Sequence, residues 1–314
     1  MSAPLVSAVI PTFNRRDHIV VAVQSVVDQT YPAASLEIVV VDDGGTDDTP
    51  ALLAEAFGDR VRLIHKPNGG VSSARNVGMR AARGAYLALL DSDDEWHPTK
   101  IARQVEFLDA HPDFGMVVTD IEMVTGDRVA FNVFRRRDQI PEDGMALASV
   151  LRNPALAPSS AMFRREVIDD VGGFDEGLPT AEDIDFHLRV ALRWPIGVVE
   201  EPLTRAMRGH DGLSALARTY GDYLTVFETF VRDHAHLIDP RDRDAALLEA
   251  YARNARGLLW CGNVAEALRV TAKGAARVRG GGDARKVAAL GFDLARGLAA
   301  RARRRLLGRD DVES

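Results

Sequence analysis

The first 115 residues alternate short apolar runs with stretches of helical spacing. Four apolar runs predict β-strands: LVSAVIPTF, LEIVVVDD, RVRLIHK and AYLALLD. DHIVVAVQSVVDQ after the first run predicts a helix, and so does VSSARNVGMRAARG before the fourth, with Gly84 as its expected C-terminal stop. Continuous apolar strands that alternate with helices are typical of an α/β fold with a mainly parallel sheet covered on both faces.

The pattern becomes more mixed after about residue 114. FGMVVTDIEMV and RVAFNVF predict a strand pair, AEDIDFHLRVALR predicts a helix, and IGVVEE and LTRAMR predict two further strands. Beyond about Asp222 the chain is Ala-rich and helical in spacing, and residues 245–277 predict a helix hairpin broken at Gly262-Asn263. We expect an α/β domain over residues 1–215, with halves 1–115 and 116–215, and a helical C-terminal region over 216–314 that ends in a basic helix.

Polar residues follow each of the four predicted parallel strands at the point where the strand ends. The carboxyl ends of parallel strands meet at one edge of a sheet, and ligands bind there. The four turns therefore predict one composite site. They are Pro11-Thr12-Phe13-Asn14, Asp42-Asp43-Gly44-Gly45, Lys66-Pro67-Asn68-Gly69-Gly70 and Asp91-Ser92-Asp93-Asp94.

The composition is that of a folded protein, with 46% hydrophobic and 27% charged residues. The single cysteine, Cys261, excludes an internal disulfide and a Cys-rich metal site, and it favours a reducing compartment. No basic leader precedes the first strand, and no apolar run approaches the roughly 18 residues that a membrane helix needs. We therefore expect a cytoplasmic protein.

The net charge of −7 conceals a strong segregation. Residues 269–309 hold twelve Lys and Arg against two acids, a balance of +10 that leaves −17 for the remainder. Arginines alternate with leucines over residues 294–307 in a basic amphipathic segment. This segment fits peripheral contact with the inner face of an anionic membrane, docking on the acidic body, or contact with a second subunit in a homo-oligomer. Nucleic acid is not an expected partner, because the arginines lack interleaved aromatic residues.

The fourth turn carries candidate metal chemistry. Carboxylates at a strand end bind hard cations through oxygen, and Mg²⁺ and Mn²⁺ commonly share their ligand shell with substrate phosphates. The alternative is that Asp91, Ser92, Asp93 and Asp94 cap the helix predicted at PTKIARQVEFL. Trp96, just beyond, fits either a ligand contact or the core. The local pattern alone leaves these alternatives open.

Five motifs, taken together, resemble the inverting glycosyltransferases of family 2, which have the GT-A fold. In order they are VSAVIPTFNR, EIVVVDDGGTDDT, NGGVSSARNVGMRAARGAYLALLDSDDEWHP, GGFDE and AEDIDFHLR, and the resemblance covers roughly residues 5–215. It implies an enzyme that moves a sugar from a nucleoside diphosphate to an acceptor, with Mn²⁺ or Mg²⁺ as cofactor. The Gln-x-x-Arg-Trp motif of processive members is missing, since Val190 stands three residues before Arg193-Trp194. We therefore expect transfer of a single sugar.

The resemblance also implies roles for individual residues at the nucleotide. Thr12 would lie beside it, and the Asp43 carboxylate would accept a hydrogen bond from a base N–H. Arg75 would lie near the base or the phosphates, the alternative being an exposed helix charge. The nucleotide set is Pro11, Thr12, Asn14, Arg15, Asp43, Asn68, Arg75, Asp91 and Ser92, and the metal set is Asp93, Asp91 and His210. Asp93 would bind the metal that bridges the diphosphate, and Asp91 would contact ribose or a metal-bound water.

The catalytic pair implied by the resemblance is Asp183 with its neighbour Glu182. Asp183 would take the proton of the acceptor hydroxyl as that oxygen attacks the anomeric carbon opposite the diphosphate, which inverts the configuration. The alternative is that Glu182, Asp183 and Asp185 are first-turn acids stabilised by the helix dipole. His210 occupies a place where relatives carry a histidine near the metal, the alternative being a surface residue.

Two other classes of protein stay open at this point. One is a catalytically silent sugar-nucleotide binder or scaffold, and the other is a retaining GT-A enzyme or a nucleotidyltransferase. The presence of Asp91, Asp93 and Asp183 disfavours the silent version, and the anomeric configuration of the product would separate retaining from inverting transfer. UDP is the donor nucleotide expected from the family, and GDP or dTDP would also fit an Asp43 contact. The acceptor has no identifiable motif, so sugar, lipid-linked and protein acceptors in cell-envelope polysaccharide, glycolipid or glycoconjugate synthesis all stay open.

Overall fold

The computed structural model describes residues 3–125, 128–133, 147–152, 156–207 and 217–277. The chain divides into two compact units, Met1–His210 and Asp211–Ser314. The predicted boundaries at residues 115 and 215 stay predictions.

Four strands alternate with three helices in the first half of unit one, and the apolar pattern predicts all four strands and the first and third helices. Three of the strands bury almost every side chain, because helices cover both faces of the sheet, whereas the edge strand Val61–His65 is only partly buried. The strands are β1 Val6–Thr12, β2 Leu36–Asp42, β3 Val61–His65 and β4 Tyr86–Leu89, and the helices are α1 Arg16–Val27, α2 Thr49–Phe57 and α3 Gly70–Ala81.

The second half of unit one extends the same sheet with mixed strand directions. It contains strands β5 Asp94–Trp96, β6 Met116–Thr125, β7 Arg128–Asn132, β8 Met162–Arg164 and β9 Ile196–Met207. Its helices are α4 Lys100–Ala110, α5 Leu147–Arg152, α6 Arg165–Val171 and α7 Glu182–Arg193, and short 3₁₀ turns cover Ala33–Ser35, Gly58–Arg60 and Pro158–Ser160. The predicted pair of strands after residue 114 is confirmed as the antiparallel pair β6 and β7.

The strand order is β3-β2-β1-β4-β8-β6-β9-β5, with β7 paired to β6. Neighbours among β1 to β4 are parallel, so their carboxyl ends, and the four polar turns that follow them, share one edge. The strands β8 and β5 run antiparallel to their neighbours, while β6 and β9 are parallel. The predicted α/β class is therefore confirmed, and the parallel half of the sheet is the half that carries the polar turns.

The core lies on both faces of β1 and β2. Ile10 and Val40 point to one face, where they pack with Ile19 and Val23 of α1. Val41 points to the other face, where it packs with its neighbours Val39 and Ala74. This alternation places α1 and α3 on opposite faces, with the amino end of α3 at the polar edge.

Two expectations for the regular elements are wrong. The helix α3 ends at Ala81, and Ala82 is already extended, so Gly84 is not its stop. A Cβ at Gly84 would lie 2.6 Å from Ser7 N, so this glycine permits close approach of two backbone segments. IGVVEE and LTRAMR form the single strand β9, because an irregularity in the pairing with β6 accommodates the segment before Pro202.

Unit two contains three helices within the residues that the structure describes: α8 Ala217–Asp233, α9 Pro240–Trp260 and α10 Val264–Ala275. The predicted helix hairpin is confirmed, with Gly262 at φ +78° and Asn263 Oδ1 accepting from Glu266 N at the start of α10. Buried Tyr251 donates to Glu228, which also pairs with Lys273 at 2.7 Å. No helix in this described part of the chain is long and apolar enough to cross a membrane. The basic segment 294–307 lies outside the described residues.

Candidate active site

The turns after β2 and β3 are joined through Asp43. Its buried carboxylate accepts from Lys66 Nζ, from Gly69 N at 3.0 Å and from Gly70 N at 2.7 Å, while Asn68 Nδ2 donates to Asp43 O at 2.9 Å. Asp43 therefore satisfies backbone donors at the amino end of α3. A carboxylate can accept about four hydrogen bonds. Contact between Asp43 and a base stays a prediction, and a base would share the carboxylate with these donors.

The turn after β1 is tied to the turn after β2. Asn14 adopts a left-handed φ of +51°, which a non-glycine residue rarely does, and its Oδ1 accepts from Thr46 N at 2.7 Å. Pro11 and Thr12 are the last two residues of β1, and Arg15 immediately precedes α1. Thr12 Oγ1 is buried without a hydrogen-bond partner. A buried hydroxyl without a partner costs free energy. The Thr12 hydroxyl is therefore available to form a hydrogen bond with a ligand at this edge of the sheet.

The turn after β4 is shaped by Ser159, which sequence reasoning missed. Ser159 Oγ accepts from Asp91 N at 3.0 Å and donates to Asp94 Oδ2. Asp94 begins β5, and burial, with the charge of Asp91 next, raises the pKa of its carboxyl well above the ordinary value. The helix α4 begins only at Lys100 with Thr99 before it, so the four residues 91–94 do not cap that helix. Trp96 belongs to the core, where its Nε1 donates to Ser159 O at 2.8 Å.

Arg75 links this turn to the helix α7. Its side chain is 4% exposed, which excludes the alternative of an exposed helix charge. Nη2 donates to Asp91 Oδ1 and Nη1 donates to Glu182 Oε1, both at 2.7 Å. Burial alone would lower the pKa of Arg75, but the charges of Asp91 and Glu182 raise it above its ordinary value. The guanidinium thus holds two carboxylates that come from distant parts of the chain.

Asp183 follows Glu182 in the first turn of α7. Burial raises the pKa of the Asp183 carboxyl to about 7, the charge of Glu182 adds to this, and Arg75 opposes it. Asp183 as a whole residue is partly exposed. Ala181, just before the helix, has φ +63°, a left-handed conformation that costs an L residue about 1–2 kcal/mol. Strained backbone of this kind clusters at functional sites. A helix-dipole role alone does not account for a carboxyl whose pKa rises.

The donor set fits a hard divalent cation shared with a diphosphate. No group of three metal-ligating side chains is found in the described residues. Asp91 uses only Oδ1 toward Arg75, and Asp93 stands two residues further along the same turn. Mg²⁺ and Mn²⁺ are often held by one or two carboxylates with the remaining positions taken by phosphate and water. The third predicted ligand, His210, lies outside the described residues.

The structure therefore brings most of the predicted residues to one edge. Pro11, Thr12, Asn14 and Asp43 belong to linked turns, while Asn68 is bonded to Asp43 and buried Ser92 lies between Asp91 and Asp93. Arg75 joins the turn after β4 to Glu182, the neighbour of Asp183. Binding of nucleotide or metal by any of them stays a prediction.

Sequence reasoning missed the buried polar residues behind the site. Asn76 follows Arg75 and is bonded to the segment around Phe174. His187 is 0% exposed, and neither ring nitrogen has a partner. Burial, with the charges of Arg75 and Arg189, lowers the pKa of His187 to about 3, so the ring is neutral. Its spacing of four residues from Asp183 was the available signal, because it places both on one helix face.

Comparison with known sequences gives a match to a family. The sequence model of glycosyl transferase family 2 matches residues 7–172. The succinoglycan biosynthesis protein ExoO of Rhizobium meliloti is 37% identical over 164 residues, which cover 52% of this chain and 44% of ExoO. The chain spans 27–34% of the length of three leading curated relatives.

Solved structures share the fold. PcManGT, a mannosyltransferase from Pyrobaculum calidifontis in complex with GDP-Man and Mn²⁺, superposes with a TM-score of 0.64, covering 95% of this chain and 81% of that one at 24% identity. S. aureus TarS 1–349 in complex with UDP-GlcNAc superposes with a TM-score of 0.58, covering 87% and 89% at 19% identity. The predicted GT-A fold is confirmed by these similarities.

Proposed function

Because the chain belongs to glycosyl transferase family 2, we propose that it is an inverting glycosyltransferase. It transfers one sugar from a nucleoside diphosphate to an acceptor hydroxyl. The observation that carries this proposal is the carboxyl of Asp183, whose pKa is raised to about 7 beside the Arg75–Glu182 ion pair at the carboxyl edge of the sheet. A carboxyl with such a pKa can both accept and release a proton near neutral pH.

The proposed step is a single displacement. The ionised Asp183 carboxylate takes the proton of the acceptor hydroxyl, and the hydroxyl oxygen forms a bond to the anomeric carbon. The bond between that carbon and the diphosphate oxygen breaks, and its electron pair leaves with the nucleoside diphosphate. Attack from the face opposite the leaving group inverts the anomeric configuration.

The linked turns would hold the donor. Thr12 Oγ1 and the Asp43 carboxylate would meet the nucleoside, and Asp91 and Asp93 would hold Mn²⁺ or Mg²⁺ against the diphosphate. Such a cation offsets negative charge on the departing diphosphate. His210 would complete the metal set. Arg75 would fix the separation between Asp91 and Glu182. The turn after β4 and the base Asp183 would then keep a fixed relative position.

The donor and acceptor are proposals that rest on relatives. UDP is proposed as the donor nucleotide because it is the one expected from the family and because TarS has been solved in complex with UDP-GlcNAc. The PcManGT complex contains GDP-Man instead. The name of ExoO, a succinoglycan biosynthesis protein, supports an acceptor in polysaccharide synthesis. A cytoplasmic site of action, with the basic segment 294–307 in contact with the membrane or with a second subunit, is proposed from the sequence. No contact in the described part of the chain favours the silent binder or the retaining enzyme.

The test is turnover with product analysis. Purified protein is incubated with UDP-sugars and a panel of acceptor glycans with Mn²⁺, and release of nucleoside diphosphate is measured. The product is examined by NMR for its anomeric configuration. We expect inverted product, and Asp183→Asn should lower kcat by at least about 100-fold because the base is lost. Asp59→Asn, an exposed carboxyl in the 3₁₀ turn before β3, is the control and should keep full activity. A retained configuration, or full activity in Asp183→Asn, would overturn the proposal.

A further inference from the structure

The GGFDE motif does not belong to any of the linked turns, yet it is held firmly. It covers Gly172 to Glu176 and lies in the connection between α6 and α7. Gly172 has φ +78°, so the chain turns sharply as it leaves α6. Phe174, in the middle, is 3% exposed. Its neighbours Gly172, Asp175 and Glu176 are exposed. The backbone groups of buried Phe174 must find partners in the protein, and those partners show what the segment connects.

From one side the segment is bound by Asn76 of α3. Asn76 Nδ2 donates to Phe174 O at 2.9 Å, and Phe174 N donates to Asn76 Oδ1 at 2.8 Å. The side-chain amide thus pairs with Phe174 as a neighbouring strand would. Asn76 Nδ2 also donates to Glu176 Oε1 at 2.9 Å. These three bonds use both donors and one acceptor lone pair of a buried amide.

From the other side the segment is bound by Arg189 of α7. Arg189 Nη1 donates to Val171 O at 2.6 Å and Nη2 donates to Gly173 O at 2.8 Å. Asp185, one turn earlier, orients the guanidinium through two bonds, to Nε at 2.9 Å and to Nη2 at 2.7 Å. This ion pair gives Asp185 a structural role and leaves Asp183 as the first-turn acid whose pKa is raised to about 7.

The ring of Phe174 completes the connection. The Arg75 guanidinium carbon lies 5.1 Å from its centroid, and the ring of Phe186 of α7 stacks on it at 4.5 Å with 25° between the planes. Phe174 therefore touches both the arginine that holds Glu182 and the helix that carries Asp183. Arg75 of α3, the ring of Phe174 and Phe186 of α7 therefore pack against one another.

We infer that Asn76 is a positioning residue for transfer: by holding the Phe174 backbone it fixes α7, and with it Asp183, against the Arg75–Asp91 side of the site. The inference deepens the proposed function and rests on it for the identity of the base. Asn76 does not itself touch a reacting atom in this assignment.

The close packing at Gly173 agrees with this role. A Cβ at Gly173 would lie 2.3 Å from Asn76 Oδ1, so only glycine lets the amide reach the backbone. At Gly172 the nearest atom would be Arg189 Nη1 at 4.0 Å, and the only obstacle is the positive φ. The second glycine of the pair is therefore required by the contact itself, and the first by the turn.

The kinetic test compares Asn76→Ala with Asn254→Ala. Asn254 is an equally buried amide, in unit two, whose Nδ2 donates to Ala250 O. Both variants lose a buried amide, and only the first loses the contact to Phe174. We expect kcat of Asn76→Ala to fall by about 100-fold, as for a displaced base, while the KM for the donor changes less than about threefold. Asn254→Ala should keep the wild-type kcat. Equal kcat in both variants would overturn the inference.

Amide hydrogen exchange tests the contact of Asn76 with the Phe174 backbone without any need for turnover. In Asn76→Ala the amides of Phe174 and of Ile184 to Phe186 should exchange at least about tenfold faster than in Asn254→Ala. Unchanged exchange at Ile184 to Phe186 would show that Asn76 does not hold α7 and would overturn the inference. If the wild type shows no transfer while exchange rises as expected, the structural role of Asn76 in holding α7 stands and the proposed function fails. Gly173→Ala should reproduce the exchange increase, because its Cβ would lie 2.3 Å from Asn76 Oδ1.

Discussion

Nη1 of Arg75 lies 2.7 Å from Oε1 of Glu182, although 107 positions separate the two residues in the chain. The same guanidinium donates to Asp91, so one buried cation joins the turn after β4 to the residue beside the proposed base. Sharing a cation between two carboxylates fixes their separation. The placement of the turn after β4 relative to Asp183, the proposed base, therefore depends on Arg75.

Replacing Arg75 with Met should destabilise the protein strongly. The change leaves the buried carboxylate of Glu182 without its cation, and breaking a buried pair in this way costs about 3–5 kcal/mol. Arg80→Met removes an exposed arginine from the same helix and is expected to cost less than about 0.5 kcal/mol. Urea unfolding without nucleotide measures both. Equal stability of the two variants would contradict the central place of Arg75.

The position of Arg75 at the site could be predicted from its motif, but its partners could not. The strand-end turns are visible in the sequence because apolar runs locate the strands, and parallel topology then gathers Thr12, Asp43 and Asp91 at one edge. Arg75 lies on the helix between two of these turns, so its nearness to the edge follows. Its bond to Glu182 depends on how α7 packs against α3, and no local pattern encodes that packing.

Other parts of the site were hidden for different reasons. Ser159 shapes the Asp91 turn from 68 positions away, within a 3₁₀ turn that has no periodicity. His187 sits in a helix whose burial on nearly all sides is unknown until the fold is seen. Gly84 follows a helical pattern and looks like a stop signal, whereas its lack of a side chain serves the close approach to Ser7. These features arise from tertiary contact.

The rate of transfer should depend on pH through Asp183. The base must be ionised to accept a proton, and its pKa is raised to about 7, so kcat/KM should rise with pH and level off above about pH 8. Glu182→Gln removes the like charge that adds to the effect of burial on the pKa of Asp183. The acidic limb, which is the rising part of the pH profile, should then move to lower pH. Initial rates in overlapping buffers measure the limb. Glu55→Gln, on exposed α2 surface, is the control, and a limb unmoved in Glu182→Gln would contradict this assignment.

His187 should make the protein sensitive to acid. Its pKa is lowered in the folded protein to about 3 from the ordinary 6.5, so the unfolded chain binds the proton first as the pH falls. Stability is then fully present above pH 6.5 and declines by up to about 1.4 kcal/mol for each pH unit below it. His187→Leu should lose this dependence.

The measurement for His187 is the free energy of unfolding in urea at pH 7.5 and pH 5. His187→Leu should also gain about 1 kcal/mol or more at pH 7.5, because two buried nitrogens without partners are removed. His97→Gln changes an exposed ring and should follow the wild type at both values. A wild-type pH slope retained in His187→Leu would show that the buried ring does not titrate as expected.

Calorimetric titration of nucleotides tests the central claim most directly. UDP, GDP and dTDP are titrated into the purified protein with Mn²⁺ and with EDTA, and the series is repeated on Asp93→Ala and on the control Asp59→Ala. We predict that one nucleotide, with UDP expected, binds with Mn²⁺, and that binding is lost with EDTA and in Asp93→Ala but kept in Asp59→Ala. If no nucleotide binds to a protein whose circular dichroism shows an intact fold, or if Asp93→Ala binds as the wild type does, the carboxylates of the turn after β4 do not hold a cation against a diphosphate.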